Sequence, residues 1–242
     1  MTLEGYIILF IVTFIGGLVQ GISGFAFGMV VLLVLPYFFS YADSLVLLLF
    51  MSTYTTGINA FLYRKKVNWG VLPQGLIAFT VGNLGAIKIL KQTADSPIWL
   101  KLLGVMFIFM AFYQIYWQGK IKVRPSLLSA ASFCGLSGIV TGLFGVGGPI
   151  MVLYFLAIAK DKEEYIGTVQ MFGLITIMID LSIRTVNGMV SLPLIQFGLW
   201  CVWSSLLGLY VGKKLFDKMD GSTLQKVVCG IMVLNGIGLL LQ

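Results

Sequence analysis

Ten apolar runs, divided by short polar loops that hold most of the charge, leave this chain few ways to fold. A segment that crosses hydrocarbon has no water for its N–H and C=O groups, and a uniformly apolar run of about 20 residues satisfies them internally as a helix. The runs are Gly5–Gln20, Phe25–Phe39, Ala42–Tyr63, Gly70–Ile89, Ile98–Trp117, Ser126–Phe144, Pro149–Ala159, Tyr165–Val186, Leu192–Val211 and Leu224–Leu241. Only 10% of the residues are charged, against about 25% in a soluble domain, and the mean hydropathy is +0.99. Too few charges exist to build a water-facing surface. The expectation is an all-α polytopic membrane protein, a single transport domain over residues 1–242 lying in the cell membrane. The net charge of +7 then marks loops rather than nucleic acid as a partner. The first residues lack the basic region of a cleaved leader and read as mature sequence.

The runs fall into two sets. Gly17-x3-Gly21-x2-Gly24 recurs as Gly138-x3-Gly142-x2-Gly145, 121 residues on. Val67-Asn68 with Pro73 recurs as Val186-Asn187 with Pro193, and Gly82 with Lys88 as Gly208 with Lys214. Three matches in one order predict an internal duplication, 5–119 and 126–242. Counting five legs in each half puts twelve Lys and Arg on one side and four on the other. Counting each glycine-split pair as one crossing gives nine against seven. The positive-inside rule favours five legs, with both termini outside the cytoplasm. An odd number of legs inverts the second half, so the expected fold is two inverted repeats of about five helical segments.

Each half opens with a run that glycine breaks. In GIVTGLFGVGGPIMVLYF (Gly138–Phe155), five glycines and a proline fall within twelve residues. Glycine costs a helix interior about 1 kcal/mol against alanine, and proline removes a donor and clashes with the preceding turn. Gly17, Gly21, Gly138 and Gly142 also suit close helix packing, but Gly145-Val-Gly-Gly-Pro149 does not. Each pair reads as a hairpin of discontinuous helices, with legs short for a core near 30 Å. Irregular backbone at that depth is tolerated where it is buried in protein or lines a cavity, and paired breaks in two inverted halves point to a transporter's binding site.

At these residues the chain resembles the sulfite exporter TauE/SafE family of membrane permeases. GLVQGISGFAFG (Gly17–Gly28) and GLSGIVTGLFGVGGP (Gly135–Pro149) are similar to its two signatures, the first carrying Phe25-Ala26-Phe27 where glycines are more usual. The resemblance implies export of small sulfur-containing anions, such as sulfite or organosulfonates, without ATP. A helix restarting at mid-membrane independently suits an anion, because its first amides and dipole face the break. The candidate substrate-binding residues are Gln20, Ser23, Gly24, Phe25 and Gly28 in the first half, and Thr141, Gly145, Gly147, Gly148 and Pro149 in the second. At Gly147 and Gly148 a side chain is expected to stand between the ligand and the amides, and a positive φ there would exclude one as well. For Gln20, Ser23 and Thr141, a hydrogen bond to a neighbouring helix is the alternative.

Asp180 and Arg184 lie inside Tyr165–Val186, four residues apart on one face in the favourable order. The simplest reading is a structural ion pair. Intramembrane charges also mark pathways, and Asp180 aligns with Asn59 at the same offset of 121. Two functional options therefore stand beside it: Asp180 as a proton-coupling carboxylate, or Arg184 as an attractor for the anion.

Cys134, Cys201 and Cys229 sit in apolar runs without paired spacing and read as core residues. Histidine is absent, and no nucleotide-binding or hydrolase motif occurs. No catalytic residue, metal or cofactor is expected. The partners expected are a small anion, the bilayer and, as a further option, a second copy of the chain in a homo-oligomer. The function expected is a secondary transporter working by alternating access. An anion channel is the first rival; a membrane enzyme or thiol carrier using the cysteines is the second.

Overall fold

A computed structural model describes residues 3–23, 27–93, 96, 98–116, 126–216 and 221–241. Among the described residues, ten α-helices run in order: α1 Leu3–Ser23, α2 Phe27–Val31, α3 Tyr41–Leu62, α4 Leu72–Thr93, α5 Ile98–Tyr116, α6 Leu127–Phe144, α7 Gly148–Ile158, α8 Lys162–Val186, α9 Leu192–Phe216 and α10 Gly221–Leu240. No strand occurs among the described residues. Five helical stretches there are long and apolar enough to cross a membrane: Tyr41–Leu62, Trp69–Thr93, Leu127–Phe144, Lys162–Val186 and Leu192–Lys214. At 1.5 Å per residue, the 11 residues of α7 reach only about 17 Å, half the thickness of a hydrocarbon core.

Helix ends follow local chemistry. Ser126 and Ser129 form a reciprocal capping box at the start of α6. The Asp161 carboxylate accepts from Glu164 N at 2.8 Å at the start of α8. At its other end Gly188 turns left-handed (φ 73°), Met189 N reaches Arg184 O and Gly188 N reaches Thr185 O, both at 2.9 Å. That is a Schellman stop.

Two boundaries correct the sequence reading. The first leg, expected as the short segment Gly5–Gln20, is a 21-residue helix of about 31 Å. Its glycines do not break it; they let another helix approach, as shown below. The second leg, expected as Phe25–Phe39, is only the five residues of α2 followed by a turn and a 3-10 stretch at Leu35–Tyr37. Pro36 lacks the N–H that a continuing α-helix would donate to Leu32 O.

The helices gather into two compact units, residues 1–51, 94–120 and 192–242 in one, and residues 52–93 and 121–191 in the other. These units do not follow the sequence halves; each draws on both. In the first, α1 packs chiefly on α9. A Cβ on Gly17 would overlap Ser205 O, one on Gly21 would lie 2.7 Å from Leu209 O, and Gly208 and Gly212 of α9 face Phe14 O and Leu18 O in return. The same unit joins α5 to α10, where Gly104 and Gly236 each bring an absent Cβ to 2.7 Å from the other's carbonyl.

In the second unit α4 packs on α6 in the same manner. Gly138 lies against Phe79 O, Gly142 would bring a Cβ to 2.6 Å from Ala86 Cβ, and Gly82 of α4 faces Gly135 O. By the offsets found in the sequence, α6 is the counterpart of α1, and α9 of α4. The pairs α1 with α9 and α4 with α6 thus pack on glycine in the same manner. Phe79, Phe155 and Phe172 form the aromatic centre of the second unit, with Cys134 beside them. All three cysteines are buried, and no disulfide joins them among the described residues. Outside the membrane-spanning runs, Asn68 ties the loop after α3 to α8, donating from Nδ2 to Glu164 Oε1 at 2.7 Å and from its backbone to Thr168 Oγ1 at 3.0 Å.

Candidate functional site

The break between α6 and α7 is a built structure. Gly145 takes the left-handed conformation (φ 71°) and donates its N–H to Thr141 O at 2.8 Å, a backbone state that glycine adopts without the Cβ penalty. Gly148 and Pro149 then open α7, where the missing proline N–H costs nothing because a first-turn donor has no partner within the helix. Ser137 Oγ, on α6, donates to Gly147 O at 2.9 Å, and Ile150 N donates to the same oxygen at 3.1 Å. The chain therefore folds back against α6.

The two glycines at the turn have different tasks. A Cβ on Gly147 would overlap Ser137 O and Thr141 Oγ1, whereas no heavy atom lies within 4 Å of a Cβ on Gly148. The expectation of a positive φ at 147 or 148 is corrected: it falls at Gly145, and Gly147 has φ −76°. Gly147 is held small by packing on α6, not by its own backbone. Gly148 is the position with open space. We expect Gly148→Ala to change stability by no more than about 0.5 kcal/mol, read as unchanged thermal melting of the purified protein.

At the first break, Gln20 is buried and its Oε1 accepts from Phe27 N, the first amide of α2, at 3.0 Å. The side chain expected to bind a ligand here serves a helix N-terminus. Gly28 lies within α2, half-buried. Gly24, Phe25 and the Ser23 side chain lie outside the described residues.

A second polar feature lies on α8, which buries polar side chains in helical step: Thr176, Asp180 and Arg184. Asp180 and Arg184 have no exposed surface, and Arg184 Nε donates to Asp180 Oδ1 at 2.6 Å. Two further helices close around them. Asn83 of α4 donates from Nδ2 to Asp180 Oδ2 at 3.2 Å and more weakly to Gly138 O at 3.4 Å. Arg184 Nη2 donates to Gly142 O at 2.8 Å. That carbonyl belongs to the last turn of α6, whose C=O groups lack in-helix partners and carry the negative end of the dipole. Arg184 thus satisfies the end of the broken helix while Asp180 balances its charge. Asn59, the counterpart of Asp180 in the sequence, is buried on α3 but makes no hydrogen bond in this cluster.

Sequence reasoning missed Asn83 and Ser137. Asn83 carried a signal, a polar side chain deep in an apolar run; Ser137 is a serine among small residues and carried none. Among the described residues, no three His, Cys, Asp or Glu side chains come together to hold a metal.

The sulfite exporter TauE/SafE family matches residues 9–239. A probable membrane transporter protein of Methanocaldococcus jannaschii is 28% identical over 235 residues, covering 87% of this chain and 88% of its own length. No solved structure matches. The family match runs through both glycine-rich segments, the Asp180 cluster and nearly every helix: the chain belongs to the sulfite exporter TauE/SafE family and is a multi-pass membrane transporter.

Proposed function

We propose that this protein is a secondary transporter that exports small anions, sulfur-containing ones such as sulfite or organosulfonates, by alternating access. The observation that carries the reading is the α6–α7 break, a half-length helix that starts at an open glycine. The N-terminus of α7 directs its amides and dipole toward Gly148, where no protein atom fills the space a side chain would take. Thr141, Gly145, Gly147 and Pro149 shape that turn. Gln20, Ser23, Gly24, Phe25 and Gly28 are assigned as the substrate-binding residues of the other half. Asn59, Asp180 and Arg184 are assigned to the ion pathway, and no catalytic step is assigned to the chain.

The repeat is proposed to be inverted in the cell membrane, with both termini outside the cytoplasm. The twin pairs α1 with α9 and α6 with α4 support duplication; the charge asymmetry of the loops supports inversion. Cysteine introduced at Lys66 or Lys162, both exposed, is expected to react with an impermeant reagent from the cytoplasmic side alone. Reaction of the two from opposite sides would defeat the topology.

Binding tests the substrate class. Purified protein titrated with sulfite, sulfonates and chloride is expected to bind a sulfur anion most tightly, and Gly148→Val is expected to weaken that binding while melting as the wild type does. Undiminished binding by a folded Gly148→Val protein would remove the α7 tip from the site.

A further inference from the structure

The cluster around Asp180 holds two buried polar atoms without a protein partner among the described residues, Arg184 Nη1 and Asn83 Oδ1. The rest of the arginine is committed, Nε to Asp180 at 2.6 Å and Nη2 to Gly142 O at 2.8 Å. Asn83 Nδ2 is likewise committed to Asp180 and to Gly138 O. A buried charged donor left unmade is costly, and native structures keep few of them. Guanidinium is suited to oxyanions because its donors lie in a fixed plane and its charge never titrates.

We propose that Arg184 Nη1 is the donor that recognises one oxygen of a small oxyanion, with Asp180, Asn83 and Gly142 O holding the guanidinium in position. This rests on reading the protein as a carrier of small anions; full burial is what the closed state of such a site requires. Asn83 Oδ1 only accepts, so the anion that suits the cluster also carries a hydrogen. Sulfite, partly protonated near neutral pH, meets that condition; sulfate does not.

Asp180 opposes an incoming anion, so Asp180→Asn should tighten binding about tenfold, the scale of one neighbouring charge at intermediate dielectric. A purely structural pair leaves it unchanged. The double variant Asp180→Asn/Arg184→Gln keeps the cluster neutral and so preserves the fold, yet removes the donor. It should bind at least about tenfold more weakly than wild type, as loss of a charge-assisted hydrogen bond requires.

The experiment is calorimetric titration of detergent-purified wild type and both variants with sodium sulfite under nitrogen and with sodium sulfate, each protein first shown to melt cooperatively. Tighter binding by Asp180→Asn, weak binding by the double variant and preference for sulfite are expected. A folded Asp180→Asn protein that binds no tighter, or a double variant that binds as wild type, overturns the assignment and leaves Nη1 a place for water. If Asp180→Asn does not fold, the double variant decides alone. Equal binding of the two salts overturns the part given to Asn83. Wild-type protein that binds neither salt fails the carrier reading itself, a different result from tight binding that ignores Arg184.

Discussion

Arg184→Met is expected to destabilise the protein by about 3–5 kcal/mol, the cost of leaving one member of a buried ion pair uncompensated. The substitution strands the Asp180 carboxylate with only Asn83 to solvate it, and it also releases Gly142 O at the end of α6. Asp180→Leu/Arg184→Met, which removes both charges, should recover most of that loss. Melting in mild detergent, or resistance to unfolding by an added harsh detergent, reads the difference. Equal melting of Arg184→Met and wild type would show that the pair is solvated in the working protein and contributes little.

Gly138→Val is expected to be comparably severe, at least about 3 kcal/mol, because its Cβ would overlap backbone rather than a side chain that can turn away. Phe79 O moves only if α4 and α6 part, and that separation also opens the contacts of Gly82 and Gly142. Gly17→Val should do the same to α1 and α9, against Ser205 O. Gly148→Val should not, having open space. The contrast places the helix-packing glycines and the turn glycine in separate classes. Graded loss at 148 with little at 138 would contradict the packing described here.

Much of this was legible in the chain itself. Runs bounded by charge located the helices of the described residues, though not the extent of α2, because a long apolar segment stands out in any sequence. The break at Gly145–Pro149 was legible because adjacent glycines beside a proline have no use on a packing face. Asp180 and Arg184 were visible as a pair because four residues in a helix bring side chains together. Their partners were not. Asn83 and Gly142 O reach the pair from α4 and α6, across 97 and 42 residues, and only tertiary packing supplies such contacts.

The length of α1 was misjudged for a related reason. Gly16, Gly17 and Gly21 weaken an isolated helix, yet in place they sit against Val31, Ser205 and Leu209, and packing outweighs propensity. Gly147 shows the converse. Its neighbours at 145 and 148 suggested one shared role, but the fold gives each a different one: a left-handed cap, a contact with α6 and an open position. The two compact units were equally hidden, since the pairing of α1 with α9 and α6 with α4 joins segments far apart in the chain.

The transport proposal is tested most directly by counterflow. Purified protein in liposomes loaded with unlabelled sulfite is diluted into a trace of radiolabelled sulfite, with protein-free liposomes and Arg184→Gln/Asp180→Asn liposomes alongside. A carrier gives transient, saturable accumulation of label that depends on the internal anion and falls in the double variant. Uptake that never saturates and shows no dependence on internal sulfite would mark a channel. Uptake no greater than in protein-free liposomes, with sulfite and with sulfonates alike, would contradict the transport of sulfur anions.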